Sequence, residues 1–365
     1  MSENNTVCWK DGLKKIKNKF QKILVISSKN LNEKFNISKE LKKIFINSKL
    51  EFLQKKQIPV TFSSSHKSFK KHINNRFDLI LCFGGGKTID YAKHFISVKF
   101  LKTNKYQIKQ QLIKKIRVKK KFKFIVIPST AGSGSEATQF AVTYIGGKKY
   151  SIENKILLPD HFILDPKVSY QCSKVQKISS ALDALCQGIE SHWSKKSTHA
   201  TRKISSKSIN LIWNNIFNAI LNNNFKAHKN LVIGSNLAGK AINQTKTTAT
   251  HALSYFISKK YSIPHGISVA LTLPAFIDFY YKKKNRNLDR TLDLLTKIIG
   301  VEKNKISKNI IERMELIGME LSLSKFKVKK THIKKISDSI DPVRLMNNPI
   351  DLSRKDIIQI VKGSF

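Results

Sequence analysis

Disulfides, membrane spans and the standard nucleotide-binding fingerprints are all missing from this chain. Its four cysteines, Cys8, Cys82, Cys172 and Cys186, form no CxxC pair and no disulfide spacing. That excludes a disulfide-stapled scaffold and suits a reducing cytoplasm, which is the expected location. No apolar run approaches the length of a membrane span, and the start carries no signal-peptide pattern. Neither membrane insertion nor secretion is therefore expected. Internal repeats and low-complexity linkers are absent too. Acidic side chains are scarce: 24 Asp and Glu stand against 68 Lys and Arg, for a formal net charge of +44. Such a balance can mark a nucleic-acid binder. Here, however, Lys is spread along the whole chain, and Asn and Ile are abundant beside it. These three residues share AT-rich codons, so genome composition accounts for the excess. No specific nucleic-acid partner is expected, only polyanion affinity in low salt and a field that favours an anionic substrate.

What is present is a sizeable apolar complement, 41% of 365 residues, enough for a large core and two domains. The N-terminal part alternates strand and helix patterns. Lys22–Ser27, Ile58–Phe62, Asp78–Phe83, Phe122–Ile127 and His161–Leu164 read as strands, and residues 37–56 carry a helical apolar repeat. Phe140–Ile145 and Lys149–Glu153, split by Gly146-Gly147, read as a hairpin. After about residue 170 the period changes. Residues 176–193, 199–223, 227–243, 247–258, 266–281, 287–299, 305–322 and 329–338 all read as helices. The expected architecture is thus an α/β dinucleotide-binding domain over residues 1–168 and a helical metal and substrate domain over residues 169–365.

Two loops of the first half can cradle phosphates. The third strand runs straight into Gly84-Gly85-Gly86-Lys87-Thr88-Ile89-Asp90 and then into a helix. Glycines let backbone N–H groups approach a pyrophosphate, and a helix start supplies positive potential. This is neither GxGxxG nor a P-loop, and a tight structural turn would look the same. Phe122–Ile127 is closed by Pro128-Ser129-Thr130-Ala131-Gly132-Ser133-Gly134-Ser135-Glu136, hydroxyl-rich and placed at a strand end. In the second half, Asp183, Gln187 and Glu190 fall at i, i+4 and i+7 on one face of an apolar helix. Either they form a satisfied polar network or they bind something. Further on, His251 and Tyr255 are again i, i+4, and His265 follows in Ile263-Pro264-His265-Gly266. Asp183, Gln187, His251 and His265 together make an open divalent-metal set, and imidazole with carboxylate suits Fe(II) or Zn(II).

On these four ordered stretches the chain resembles the iron-dependent (group III) alcohol dehydrogenase family over almost its full length. The resemblance implies a dehydroquinate synthase-like fold, with NAD(P) on the α/β half and a metal on the helical half. It implies that Gly84, Gly85, Gly86, Lys87, Asp90, Ser129, Thr130, Gly132 and Ser133 contact the cofactor, and that Asp183, His251 and His265, with Gln187, hold one divalent ion. Two positions depart from the family pattern. Gln187 stands where a metal-binding His is usual, and Tyr255 where another His flanks the site. Tyr255 is then either a support for the alkoxide formed on reduction or a packed aromatic. At the end of the first strand the family often carries Asp, which favours NAD; here Ser28 is followed by Lys29, so NADPH is expected to serve at least as well as NADH.

These departures also resemble the family's phosphonoacetaldehyde reductase branch, which forms 2-hydroxyethylphosphonate in phosphonate biosynthesis. The matching stretches are Ala181–Gln187, Glu190–Ser194, Lys246–Tyr255 and Ile263–Gly266. The expected partner is accordingly a small aldehyde or alcohol bearing a phosphonate, with Lys246 as the candidate for its head group and a homodimer as a possible assembly. A less selective short-chain aldehyde reductase is the alternative.

Overall fold

The computed structural model describes residues 6–340 and 345–365. The chain divides into two compact units, Met1–Gln171 and Cys172–Phe365.

The first unit is built on a five-stranded sheet of order β2-β1-β3-β4-β7. Its strands are β1 (Lys22–Ser28), β2 (Lys49–Lys55), β3 (Leu79–Gly84), β4 (Lys123–Pro128) and β7 (His161–Phe162), with β5 (Phe140–Ile145) and β6 (Lys148–Glu153) forming a separate hairpin. Every pairing within the five-stranded sheet is parallel. Apolar side chains on both faces drive this arrangement. Leu24, Ile26, Ile80, Cys82, Phe124 and Val126 pack with the helix Gly86–Leu101 on one side. Ile23, Val25, Leu79, Leu81, Ile125 and Ile127 pack with Trp9, Leu13, Ile37 and Leu41 on the other. Strand order reverses at β1, which has β2 on one flank and β3 on the other, so the carboxyl ends of β1 and β3 form the switch-point crevice of a doubly wound sheet. The hairpin turns through Gly146 and Gly147, with φ of 56° and 77°. That backbone matches the twist of the flanking strands and is open to glycine.

One strand lies elsewhere than its sequence pattern indicates. The second strand is Lys49–Lys55, not residues 58–62, and the helix before it stops at Ile44. Ile37, Leu41 and Ile44 are helically spaced and buried, and Phe45 and Phe52 extend the same apolar repeat beyond the helix end. Pairing with β1, from Lys22↔Lys49 to Ser28↔Lys55, outweighs the local pattern. The Ser-rich stretch that follows is the helix Phe62–Ser68, capped by Thr61, whose Oγ1 accepts from Ser64 N.

The second unit is helical around one continuous apolar core. Its long members are Lys174–Trp193, His199–Ile220 and Phe225–Thr245. The single helix expected over 266–281 is two, His265–Ala270 and Leu273–Tyr281. Pro274 lacks the N–H that would continue the ladder back to Ala270. Residues 305–322 hold a shorter helix, Ile306–Leu316, stopped near Gly318 at φ 80°. A final helix, Arg354–Lys362, lies beyond the stretches with helical periodicity, and Ser353 and Asp356 form a capping box at its start. Among the described residues no helix is long and apolar enough to cross a membrane.

Candidate functional site

In the first unit the two candidate loops meet at the carboxyl edge of the sheet. Gly84 ends β3 opposite Pro128 of β4, and Ser129 N donates to Gly84 O at 3.0 Å. Gly85 then caps the helix Gly86–Leu101 without a side-chain bond. A Cβ on Gly85 would sit 3.2 Å from Thr130 Oγ1 and 3.6 Å from Ser129 Oγ, and one on Gly86 would sit 2.8 Å from Ser133 Oγ. The absent side chains therefore let three hydroxyls come up to a helix start, with its unsatisfied amides and positive potential. This cradle fits a pyrophosphate. Gly132 is buried within the loop, and Lys87 is exposed on the first turn of the helix. Ser28 sits at the end of β1, where its Oγ caps the next helix by accepting from Leu31 N at 3.2 Å. Asp90 turns away from the cradle: its Oδ2 accepts from Val142 N at 3.1 Å. Burial raises its carboxyl to about 6, against the opposing pull of Lys93.

In the second unit three separate helices bring Asp183, His251 and His265 together. One ligand atom from each lies within 4.8 Å of the others. The approach depends on Gly266. A Cβ there would lie 1.8 Å from Ser179 O and 2.8 Å from Asp183 Cβ, so the helix that His265 begins rests directly on the helix that carries Asp183. His251 Nε2 is 3.2 Å from Asp183 Oδ1, and Gln187 Nε2 donates to the same oxygen at 3.2 Å. Tyr255 stacks on His265, with ring centroids 5.6 Å apart and planes 10° apart, and His251 meets His265 edge-on. Tyr255 thus braces the His265 ring.

Glu190 organises this cluster from behind, a role that sequence reasoning missed. It is fully buried. Its carboxylate accepts from Thr248 N at 3.2 Å, Thr248 Oγ1 at 2.8 Å and His251 N at 3.2 Å, and it also bonds Thr250 Oγ1 and His251 Nδ1. Trp193 Nε1 in turn donates to Thr248 Oγ1 at 3.0 Å. The signal was present in the sequence: Glu190 shares a helix face with Asp183, and a carboxylate there requires partners. Burial would raise the Glu190 carboxyl, but the His251 charge and the donors around it hold it below the ordinary value. Burial likewise opposes ionisation of Asp183, yet bonding to His251 and the charge on His265 keep it low. For His251 burial is outweighed by Glu190 and Asp183, and its pKa rises to about 9. With Nδ1 held on Glu190, Nε2 faces Asp183 and His265. A carboxylate and two imidazoles, one fixed from behind by a second carboxylate, form a donor set that fits a divalent ion.

Comparison with known proteins agrees with both halves of this picture. Residues 177–365 match the family model for the C-terminal part of Fe-containing alcohol dehydrogenases, and residues 5–166 match that for iron-containing alcohol dehydrogenase. The chain is 27% identical over 300 residues to the 4-hydroxybutyrate dehydrogenase of Clostridium kluyveri, covering 79% of each protein. Among solved structures it is similar to an alcohol dehydrogenase from Oenococcus oeni, with TM-score 0.86 and 20% identity, covering 98% of this chain and 96% of that one. A sulfoacetaldehyde reductase from Bifidobacterium kashiwanohense, solved with NAD+, gives TM-score 0.84 and 22% identity, covering 97% and 93%.

Proposed function

This chain belongs to the iron-containing alcohol dehydrogenase family and is an NAD(P)-dependent oxidoreductase of alcohols and aldehydes, and we propose that its substrate is an aldehyde with an anionic head group, phosphonoacetaldehyde, reduced to 2-hydroxyethylphosphonate. The reaction balances as aldehyde plus NAD(P)H plus a proton giving alcohol plus NAD(P)+. When bound, a divalent ion supplies Lewis acidity toward the carbonyl oxygen, and the reduced nicotinamide supplies the hydride. The residues of the chain do the positioning. Asp183, His251 and His265 would hold the ion, with Gln187 orienting Asp183. Glu190 fixes the tautomer and direction of His251, and Tyr255 braces His265. Gly84–Gly86 with Ser129, Thr130 and Ser133 would cradle the pyrophosphate.

The observation that carries the head-group reading is the backbone of Lys246. Its φ of 62° and ψ of 179° lie in a region that is nearly the preserve of glycine. The residue caps the helix Phe225–Thr245 five positions before His251, and it is held there from several sides. Lys246 N donates to Ile242 O at 2.9 Å, and Thr245 Oγ1 donates to Lys246 O at 3.0 Å. Asn347 Nδ2 reaches Thr245 O at 2.6 Å and Thr247 O at 3.1 Å. Such a conformation costs about 1–3 kcal/mol for a residue with a Cβ. Glycine would avoid that cost, so a lysine here is best understood through what its ammonium contacts. A buried dianion demands cations or N–H donors. Two proteins similar to this chain are named for substrates that also carry an anion, 4-hydroxybutyrate and sulfoacetaldehyde.

Substrate comparison tests the reading. Oxidation of NADPH and NADH should be fastest with phosphonoacetaldehyde among aldehydes that include sulfoacetaldehyde, the aldehyde of 4-hydroxybutyrate, and propanal. Lys246→Gly should lower kcat/KM for phosphonoacetaldehyde by roughly tenfold to a hundredfold, as for a lost charge-assisted contact of about 1.5–3 kcal/mol. Propanal should be almost unaffected, and thermal stability should be no lower than wild type. Equal losses on both substrates would assign Lys246 to the fold or the cofactor. Propanal turning over as fast as phosphonoacetaldehyde in the wild type would leave a general short-chain aldehyde reductase.

A further inference from the structure

Lys93 sits two turns into the helix Gly86–Leu101, and its side chain is completely buried. An ammonium in such a place needs its water replaced in full. Four oxygens do this: Nζ lies 2.7 Å from Ser135 O, 2.7 Å from Thr138 O, 2.9 Å from Thr138 Oγ1 and 2.9 Å from Phe140 O. All four belong to the stretch that leads from the hydroxyl-rich loop into β5. One turn earlier on the same helix, Asp90 Oδ2 takes Val142 N at 3.1 Å. The helix that starts at the glycine turn therefore grips the far end of the loop through a cation and an anion.

The near end of that loop is the part that touches the glycines, through Thr130 and Ser133. Gly132 lies within that near end, and Gly134, at φ 59°, joins it to the far end. Glycines of this kind leave a loop with much freedom to lose on binding. A loop fixed in advance binds more tightly because that ordering no longer opposes association.

We propose that Lys93 is the positioning residue of the dinucleotide site, an internal cation whose ring of four oxygens holds the 129–140 loop in its binding shape before the cofactor arrives. The proposal rests on the reading that the pyrophosphate lies at Gly84–Gly86. It assigns Lys93 no contact with the cofactor itself.

Chemical rescue gives the test. Lys93→Ala removes what n-propylammonium can restore, with tetramethylammonium at equal ionic strength as the control. Two quantities are measured: the Kd for NADPH, and amide exchange of residues 129–140 in cofactor-free protein. The variant should exchange faster in that segment and bind NADPH roughly tenfold to a hundredfold more weakly, as for lost bonds to a charged group. Its kcat at saturating NADPH should change by less than about threefold, because the lost interaction acts on binding. Propylammonium should recover most of both losses, and tetramethylammonium should not. Unchanged exchange and affinity would overturn the proposal, as would faster exchange with unchanged affinity, or losses that propylammonium fails to restore. If Lys93→Ala does not fold, Thr138→Val removes one of the four oxygens and decides the matter: faster local exchange with weaker NADPH binding supports the role, and no change overturns it. Unchanged NADPH affinity in Gly86→Val, whose added Cβ would meet Ser133 Oγ at 2.8 Å, would overturn the cofactor reading itself, and this role with it.

Discussion

Gly266→Ala is expected to abolish the metal site while leaving the substrate-facing side chains chemically intact. A Cβ at this position would lie 1.8 Å from Ser179 O, a backbone atom that cannot swing aside. The two helices must separate, and His265, the residue before Gly266, moves away from Asp183 with them. Overpacking of a core typically costs 1–3 kcal/mol, and contact with backbone places this case at roughly 3 kcal/mol or more. In a unit of this size that lowers Tm by roughly 10 °C. The catalytic loss should be larger, because displacement by about an ångström can cost roughly a hundredfold in rate. Differential scanning calorimetry together with metal content and kcat/KM checks both parts. A variant with wild-type metal content and activity would mean that the helices are not held at this distance.

The second large effect is expected at Glu190. Glu190→Gln keeps the volume but removes the charge that faces His251 and weakens an acceptor shared by several buried donors. Breaking one partner of a buried pair costs about 3–5 kcal/mol, so Tm of metal-free protein should fall by roughly 10 °C. The size of the gap depends on pH in a defined direction. The Glu190 carboxyl is held below its ordinary 4.5, so its stabilisation is present above 4.5 and is lost as pH falls through the lowered value. The His251 pKa is raised from 6.5 to about 9, so its contribution is full below 6.5 and is lost as pH rises through about 9. The difference in Tm between wild type and variant should therefore be greatest between about 4.5 and 6.5 and shrink toward 9. Melting curves of chelated protein across that range measure it. A gap that grows with pH would show that His251 is neutral in the metal-free protein.

Much of the site was legible because its residues obey local rules. Asp183, Gln187 and Glu190 share a helix face by spacing alone, and Gly84–Gly86 follow a strand of uninterrupted apolar residues. The second strand was not legible, since Leu50, Phe52 and Leu53 suit either period and only pairing with β1 decides. The bond from Glu190 to His251 joins residues 61 apart, and the ring around Lys93 joins residues 42 to 47 apart. Spacing along the chain carries no trace of either. In a sequence so rich in lysine, Lys93 differs from exposed lysines such as Lys87 only through the fold. The strained backbone at Lys246 is invisible for the same reason, although the residue falls in one of the stretches that carry the resemblance.

The central claim is that Asp183, His251 and His265 hold one divalent ion on which aldehyde reduction depends. Wild-type protein is stripped with a chelator, assayed for NADPH oxidation with phosphonoacetaldehyde, and then titrated with Fe2+ or Zn2+ while bound metal is counted. Turnover should vanish on stripping and return as a single equivalent binds, and His265→Ala should neither bind the ion nor recover. Full turnover by metal-free wild type would contradict the account.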